Sequence, residues 1–237
     1  MNNSETLNIL REELTKNASE TVRESAKRFF KEDVKHYGLR NGDVNKIASK
    51  YFKEIKTCPK KDIYNLCEEL WKSGYMEEAL MACAWSFGIR KKMEEQDLAL
   101  FEKWIDKYVS NWATCDTFCC KAVGTYFLMY PHQIGILKKW SKSKNRWMRR
   151  AAAVSLILAA RKGIYIKESL AIAELLLTDE DDMVQKGYGW LLKNQSETHT
   201  QIVFDFVMKH KSKMPRTALR YAIEKMPANK KKMAMLK

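Results

Sequence analysis

Trp112 and Asp116 stand four residues apart in the run Asn111-Trp112-Ala113-Thr114-Cys115-Asp116. On a helix that spacing puts an indole and a carboxylate on one face, where both can reach a single ligand. Each residue alone also fits a plainer role, the indole in a core and the carboxylate at a cap or beside a base. Arg149 and Arg150 open a second segment of helical pattern, after a polar turn that contains Trp147. A base in the first helical turn opposes the helix dipole, yet there the guanidinium and the free backbone N–H groups converge on an anion such as a phosphate. The 100° step between neighbours lets only one of the pair face a groove. Arg149 is assigned the structural role of tying adjacent helix pairs together. Trp190 follows Gly187 and Gly189, two residues that weaken a helix by about 1 kcal/mol each relative to Ala. Their tolerance implies a close approach, either to a ligand or to a neighbouring helix.

Other reactive side chains form no such set. Cys115, Cys119 and Cys120 come near one another on a helix, but no second cluster completes four metal ligands, and His36, His132, His199 and His210 are scattered. Neither a metal nor a cofactor is expected. The six cysteines, in a chain that opens without a basic n-region and apolar stretch, lead us to expect reduced thiols and a cytoplasmic protein.

The elements that must position these residues read as helices. The chain of 237 residues has 9 Gly and 4 Pro, too few to punctuate a sandwich or barrel of many short strands. With 46% hydrophobic residues it is not a disordered chain, and its longest apolar runs, such as 151–160, are too short to span a bilayer. Apolar residues step by three and four in Leu7-Leu10-Leu14, Ile63-Leu66-Leu70 and Leu98-Phe101-Ile105. Breaks at 38–42, Cys58-Pro59, Ser73-Gly74, Tyr130-Pro131, Lys162-Gly163, Met214-Pro215 and Met226-Pro227 cut the chain into about a dozen helices. No linker divides it, so a single domain over 1–237 is expected. Residues 140–154 align with 177–191 at an offset of 37, which places Trp190 where the earlier copy has Ala153. The segment 71–85 is a looser copy, and Pro215-Arg216 begins a last one. A helical pair repeating about every 40 residues is HEAT-like and predicts an all-α solenoid with a basic concave face.

The charge asks for an anionic partner. Forty-three Lys and Arg against 29 Asp and Glu leave a net charge of +14, for which nucleic acid is the commonest reason. Basic residues interleave with Trp140 and Trp147 between Lys138 and Arg150, whereas the Lys230–Lys232 run has the composition of a solvated tail. No strongly amphipathic basic helix points to a membrane surface.

Taken together, 7–14, 28–31, 37–40, 69–71, 112–116, 145–152, 184–190 and 216–223 resemble the AlkD-like DNA alkylation repair family of HEAT-like repeat glycosylases. The resemblance implies a role for each matching residue. Trp112 and Trp190 correspond to indoles that hold the deoxyribose of the damaged nucleotide, Asp116 to the catalytic carboxylate, and Arg150 to the arginine on the backbone near the lesion. Phe29 falls where an active relative has a tyrosine. Arg40, Asn41 and Asn45 lie where the family contacts DNA, with other identities here. The implied activity is hydrolysis of the N-glycosidic bond of alkylated, cationic N3- or N7-substituted purines in duplex DNA, as in base excision repair, without a base-flipping pocket. The enzyme would be a monomer that needs no protein partner and does not cut the backbone. The alternative is a non-catalytic DNA-binding protein on the same scaffold, recognising damaged or branched DNA. Either implies duplex binding that weakens steeply with salt, because neutralised phosphates release counterions. Fluorescence anisotropy across a salt series checks this, and affinity indifferent to ionic strength would instead indicate a protein ligand.

Overall fold

Polar residues with caps, set between apolar runs of helical period, generate a chain of helices, and a computed structural model describes them over residues 3–236. Among the described residues there is no strand. The contacts group into two compact units, Met1–Phe118 and Cys119–Lys237.

The first unit holds α1 (Asn3–Lys16), α2 (Glu20–Lys27), α3 (Asn41–Ile55), α4 (Lys60–Lys72), α5 (Met76–Gly88), α6 (Asp97–Tyr108) and α7 (Trp112–Phe118). α5 is its central helix and packs on α3, α4 and α7. It is closed in nearly all round, burying Met81, Ala82, Cys83 and Trp85 completely. The Trp85 indole Nε1 donates to the Ala48 carbonyl of α3 at 2.9 Å. Below α7, Phe118 meets Trp71 edge-on at 5.6 Å and Phe101 at 5.4 Å, so the last side chain of α7 is locked into the aromatic core.

Two acids at the start of α5 hold the irregular segment between α2 and α3. Glu77 is fully buried and accepts from the backbone N–H groups of Tyr37, Gly38 and Leu39 at 3.1, 2.9 and 3.1 Å. Glu78, also fully buried, accepts from the Tyr37 hydroxyl at 2.8 Å and from Arg11 at 3.0 to 3.2 Å. Both carboxylates sit at the positive end of the helix dipole, and three backbone donors that no helix satisfies find one acceptor. Burial and the bond to Glu78 hold the Tyr37 phenol far above its ordinary range. Gly38 has φ of +100°, and a Cβ there would lie 2.4 Å from the Ser19 carbonyl oxygen, so this crossing requires glycine.

The second unit begins with a π turn, Cys119–Val123, and continues through α8 (Gly124–Met129), α9 (Leu137–Trp140), α10 (Arg146–Val154), α11 (Ile157–Ala160) and α12 (Ile166–Leu175). It ends with α13 (Asp182–Ser196), α14 (Thr200–His210), α15 (Arg216–Ile223) and α16 (Ala228–Met235). α13 is central here and packs on α10, α12, α14 and α15. The small residues Ala151, Ala152 and Ala153 are fully buried and let α10 approach closely.

The expected breaks fall between helices except that Asn41 and Gly42, the end of the 38–42 break, already belong to α3, and the described residues form sixteen α-helices rather than about a dozen, because short helical turns such as α9 and α11 fill the connections. The repeat is also tighter than the sequence alignment indicated. The residues that open α3, α5, α7, α10, α13 and α15 are Arg40, Tyr75, Asn111, Asn145, Asp181 and Pro215, each 34 to 36 positions after the last. Asn145 and Asp181 both cap with their side chains, which sets the register at 36 rather than 37 and aligns Trp190 with Val154 instead of Ala153. No helix of the described residues is long and apolar enough to cross a membrane, and they hold no group of three or more His, Cys, Asp or Glu able to bind a metal ion.

Glu77→Ala would strand three backbone donors at once. A loss of about 3 kcal/mol or more is expected, equivalent to roughly 6–12 °C in Tm. Differential scanning calorimetry reads this, and a Tm within about 2 °C of wild type would show that the segment is held by other contacts.

Candidate active site

Trp112 and Asp116 belong to the first unit, Arg150 and Trp190 to the second. In the first, Asn111 caps α7, its Oδ1 accepting from Thr114 N at 3.0 Å. This fixes where the helix starts, and the 100° step then decides which side chains face inward. Thr114, Cys115 and Phe118 fall on one side and are buried, while Trp112, Ala113, Asp116 and Thr117 fall on the other and stay half-exposed. The Cys83 thiol of α5 donates to the Thr114 carbonyl at 3.9 Å, a weak bond on the inward side. The indole and the carboxylate therefore share the accessible face of one helix, as their spacing indicated.

The aromatic partner of that face is Phe30, whose ring stacks on Trp112 with centroids 5.6 Å apart and planes 29° apart. Phe29, the residue singled out from sequence, is 72% exposed and takes no part in the stack. In an irregular segment two adjacent phenylalanines carry no periodicity to rank them, so the sequence held no signal for Phe30. Arg40 and Asn41 lie at the start of α3, both exposed, and Asn45 is exposed one turn further on.

In the second unit the two arginines divide their work. Arg149 forms a bidentate pair with Asp179, Nε to Oδ2 at 2.6 Å and Nη2 to Oδ1 at 3.2 Å. Its Nη1 donates to the carbonyls of Ser143 and Lys144 at 3.0 and 3.1 Å. It thus joins the turn before α10 to the turn before α13, and the bond to Asp179 raises its pKa further. This is the tie between adjacent helix pairs expected of Arg149. Arg150 is 5% exposed and its Nη1 donates to the Met183 carbonyl in the first turn of α13. Sequence alone does not show the depth of that burial: the helix step that leaves Arg146 and Arg149 half-exposed turns Arg150 toward α13.

The two glycines beside Trp190 serve helix packing. A Cβ at Gly187 would lie 3.3 Å from Arg150 Cγ, and one at Gly189 would lie 2.7 Å from Tyr221 Cβ and 2.9 Å from the Ala218 carbonyl. α13 thus presents Gly187 to α10, Gly189 to α15, and the fully buried Tyr188 to the core between them. The one direction left, 300° on from Gly187, carries Trp190, which is half-exposed. Lys186 and Lys193 flank it on the same side, paired with Asp182 at 3.1 Å and Glu224 at 2.6 Å. Their i, i+4, i+7 spacing with Trp190 is visible in the sequence but was not singled out.

The family model described as DNA alkylation repair enzyme matches residues 10–226, so the chain belongs to that family. Among solved structures it is similar to one described as a "Predicted DNA alkylation repair enzyme from Enterococcus faecalis", with a TM-score of 0.80 and 15% identity over 90% of this chain and 98% of that one. At that identity the likeness is one of fold. No curated protein matches the sequence.

Arg149→Ala should lower stability by about 2 kcal/mol, because Asp179 loses a charge-assisted bidentate partner. The salt slope of duplex binding should stay as in wild type, since a tie between helix pairs neutralises no phosphate. A slope reduced by about one unit with unchanged Tm would make Arg149 a phosphate contact instead.

Proposed function

We propose that the protein is a monofunctional DNA glycosylase that hydrolyses the N-glycosidic bond of alkylated purines in duplex DNA. The observation that carries this reading is the accessible face of α7, where Trp112 and Asp116 stand one turn apart with Phe30 against the indole. Membership of the DNA alkylation repair enzyme family and the net charge of +14 support it.

Alkylation at N3 or N7 makes the purine cationic, so it leaves without prior protonation and the enzyme needs no general acid. What must be stabilised is positive charge growing on the deoxyribose as the C–N bond stretches, as in other glycoside hydrolyses. Asp116 does this as a fixed negative charge and orients the water that attacks the sugar carbon, taking up its proton as the new C–O bond forms. The indole face of Trp112 adds about 0.5–2 kcal/mol against that charge, and the family resemblance assigns Trp190 to the same deoxyribose. Phe30 keeps Trp112 in one orientation, so its ring is ready before the substrate arrives. The family resemblance assigns Arg150 to the backbone beside the lesion, a contact that its burial against α13 and its bond to the Met183 carbonyl restrict to whatever edge of the guanidinium stays open. Selectivity lies in the charge of the leaving base, and grip on sugar and phosphate replaces the pocket into which most glycosylases flip a base. The product is an abasic site in an uncut strand, since backbone cleavage by a lyase step requires a nucleophilic amine and no lysine is singled out for that part.

Incubation with methylated duplex should release 7-methylguanine or 3-methyladenine as the free base, read by chromatography, with strand breaks only after alkali. Asp116→Asn should lose most of the single-turnover rate, about 10²-fold or more, while duplex affinity persists. Equal release by wild type and variant would remove Asp116 from the mechanism. Tight binding without any release by wild type would establish the non-catalytic DNA-binding reading.

A further inference from the structure

A second feature of the first unit lies apart in composition from Trp112, Asp116 and the two phenylalanines. The end of α1, α2, the segment before α3 and the residue before α5 line an open cavity of about 420 Å³. Its lining includes Thr15, Arg23, Lys35, His36, Tyr37 and Tyr75, with three basic side chains and no carboxylate.

Each basic group is held differently. Arg23 is fixed, Nη2 donating to the Tyr37 carbonyl at 2.9 Å and Nη1 to Glu20 at 2.6 Å, and its buried Nε has no hydrogen-bond partner. The Lys35 ammonium lies 4.1 Å from the centre of the Tyr75 ring, steadied by the ring face rather than by an acid. The other face of Tyr75 is covered by Tyr37, at 4.1 Å between centroids. Both faces of that ring are thus taken, which leaves no platform for a stacked base. His36 is 7% exposed, lines the cavity, and makes no hydrogen bond with the described residues. No hydrogen bond to the described residues competes for its ring nitrogens, and the space beside it is an open cleft with basic side chains in its walls.

We propose that this cavity binds a phosphoryl group, with His36 and Lys35 donating to its oxygens and Arg23 supplying a fixed positive wall. Charge and donor count suit a tetrahedral dianion or diester better than a planar ligand, because the aromatic faces are occupied. The volume exceeds that of a bare phosphate and leaves room for the sugar or water attached to it. The group comes from one of two sources, a phosphate of the DNA strand or a free phosphate ester. The inference does not depend on base excision, and a protein that merely binds DNA would carry the same site.

Isothermal titration of the full-length chain with inorganic phosphate, at constant ionic strength so that general screening cancels, tests this. Wild type should bind, and Lys35→Ala and His36→Gln should each weaken binding by about tenfold. Lys35 is exposed, so its variant keeps the fold and remains decisive if the histidine variant does not. No heat of binding with wild type, or equal affinity in both variants, overturns the proposal. Repeating the titration with saturating duplex separates the sources: loss of phosphate binding assigns the cavity to the DNA strand, and retained binding assigns it to a free phosphate ester.

Discussion

In each unit a helix is closed by protein on every side but one, and that closure decides which side chains remain to meet a ligand. α13 is the clearest case. Gly187 lets Arg150 of α10 approach, Gly189 lets Tyr221 and Ala218 of α15 approach, and Tyr188 fills the core, which leaves the direction of Trp190. α7 follows the same rule with fewer residues, its Asn111 cap and the locked Phe118 fixing the rotation that holds Trp112 and Asp116 outward. Close packing is costly to disturb, so an accessible face defined by it is rigid. A rigid carboxylate and rigid ring faces are what electrostatic stabilisation of a short-lived cation requires, since they need no reorganisation as the charge develops.

The same closure sorts the basic residues. Arg149 and Arg150 are neighbours in sequence, yet Arg149 spends its donors on Asp179 and two carbonyls, while Arg150 turns into the packing between α10 and α13. The large net charge is therefore not a uniform coat. Part of it joins turns to one another, part lies along faces such as the Lys186–Trp190–Lys193 stripe, and part lines an open cavity in the first unit. Positive charge used in these ways serves cohesion and recognition at once.

Much of this was legible in the sequence because it depends on local spacing. The helical period, the breaks at Gly and Pro, and the i, i+4 relation of Trp112 to Asp116 are properties of one segment at a time. The family resemblance rested on such segments, and the match over residues 10–226 shows its broader part, membership of the DNA alkylation repair enzyme family. What was not legible depends on partners far along the chain. Nothing local to Glu77 marks its role, yet it accepts three N–H groups some 40 residues away. Phe30 rather than Phe29 meets Trp112, a choice made by a segment with no period. The repeat offset was off by one because apolar identities were aligned, whereas the caps at Asn145 and Asp181 set the register.

The central claim, that the accessible face of α7 stabilises positive charge on a deoxyribose, can be tested without turnover. Duplexes that differ at one position only, a cationic azasugar against a neutral tetrahydrofuran, separate charge recognition from shape. The account predicts that wild type binds the cationic duplex at least about tenfold more tightly and that Asp116→Asn abolishes the preference. Equal affinity of wild type for the two duplexes would contradict it.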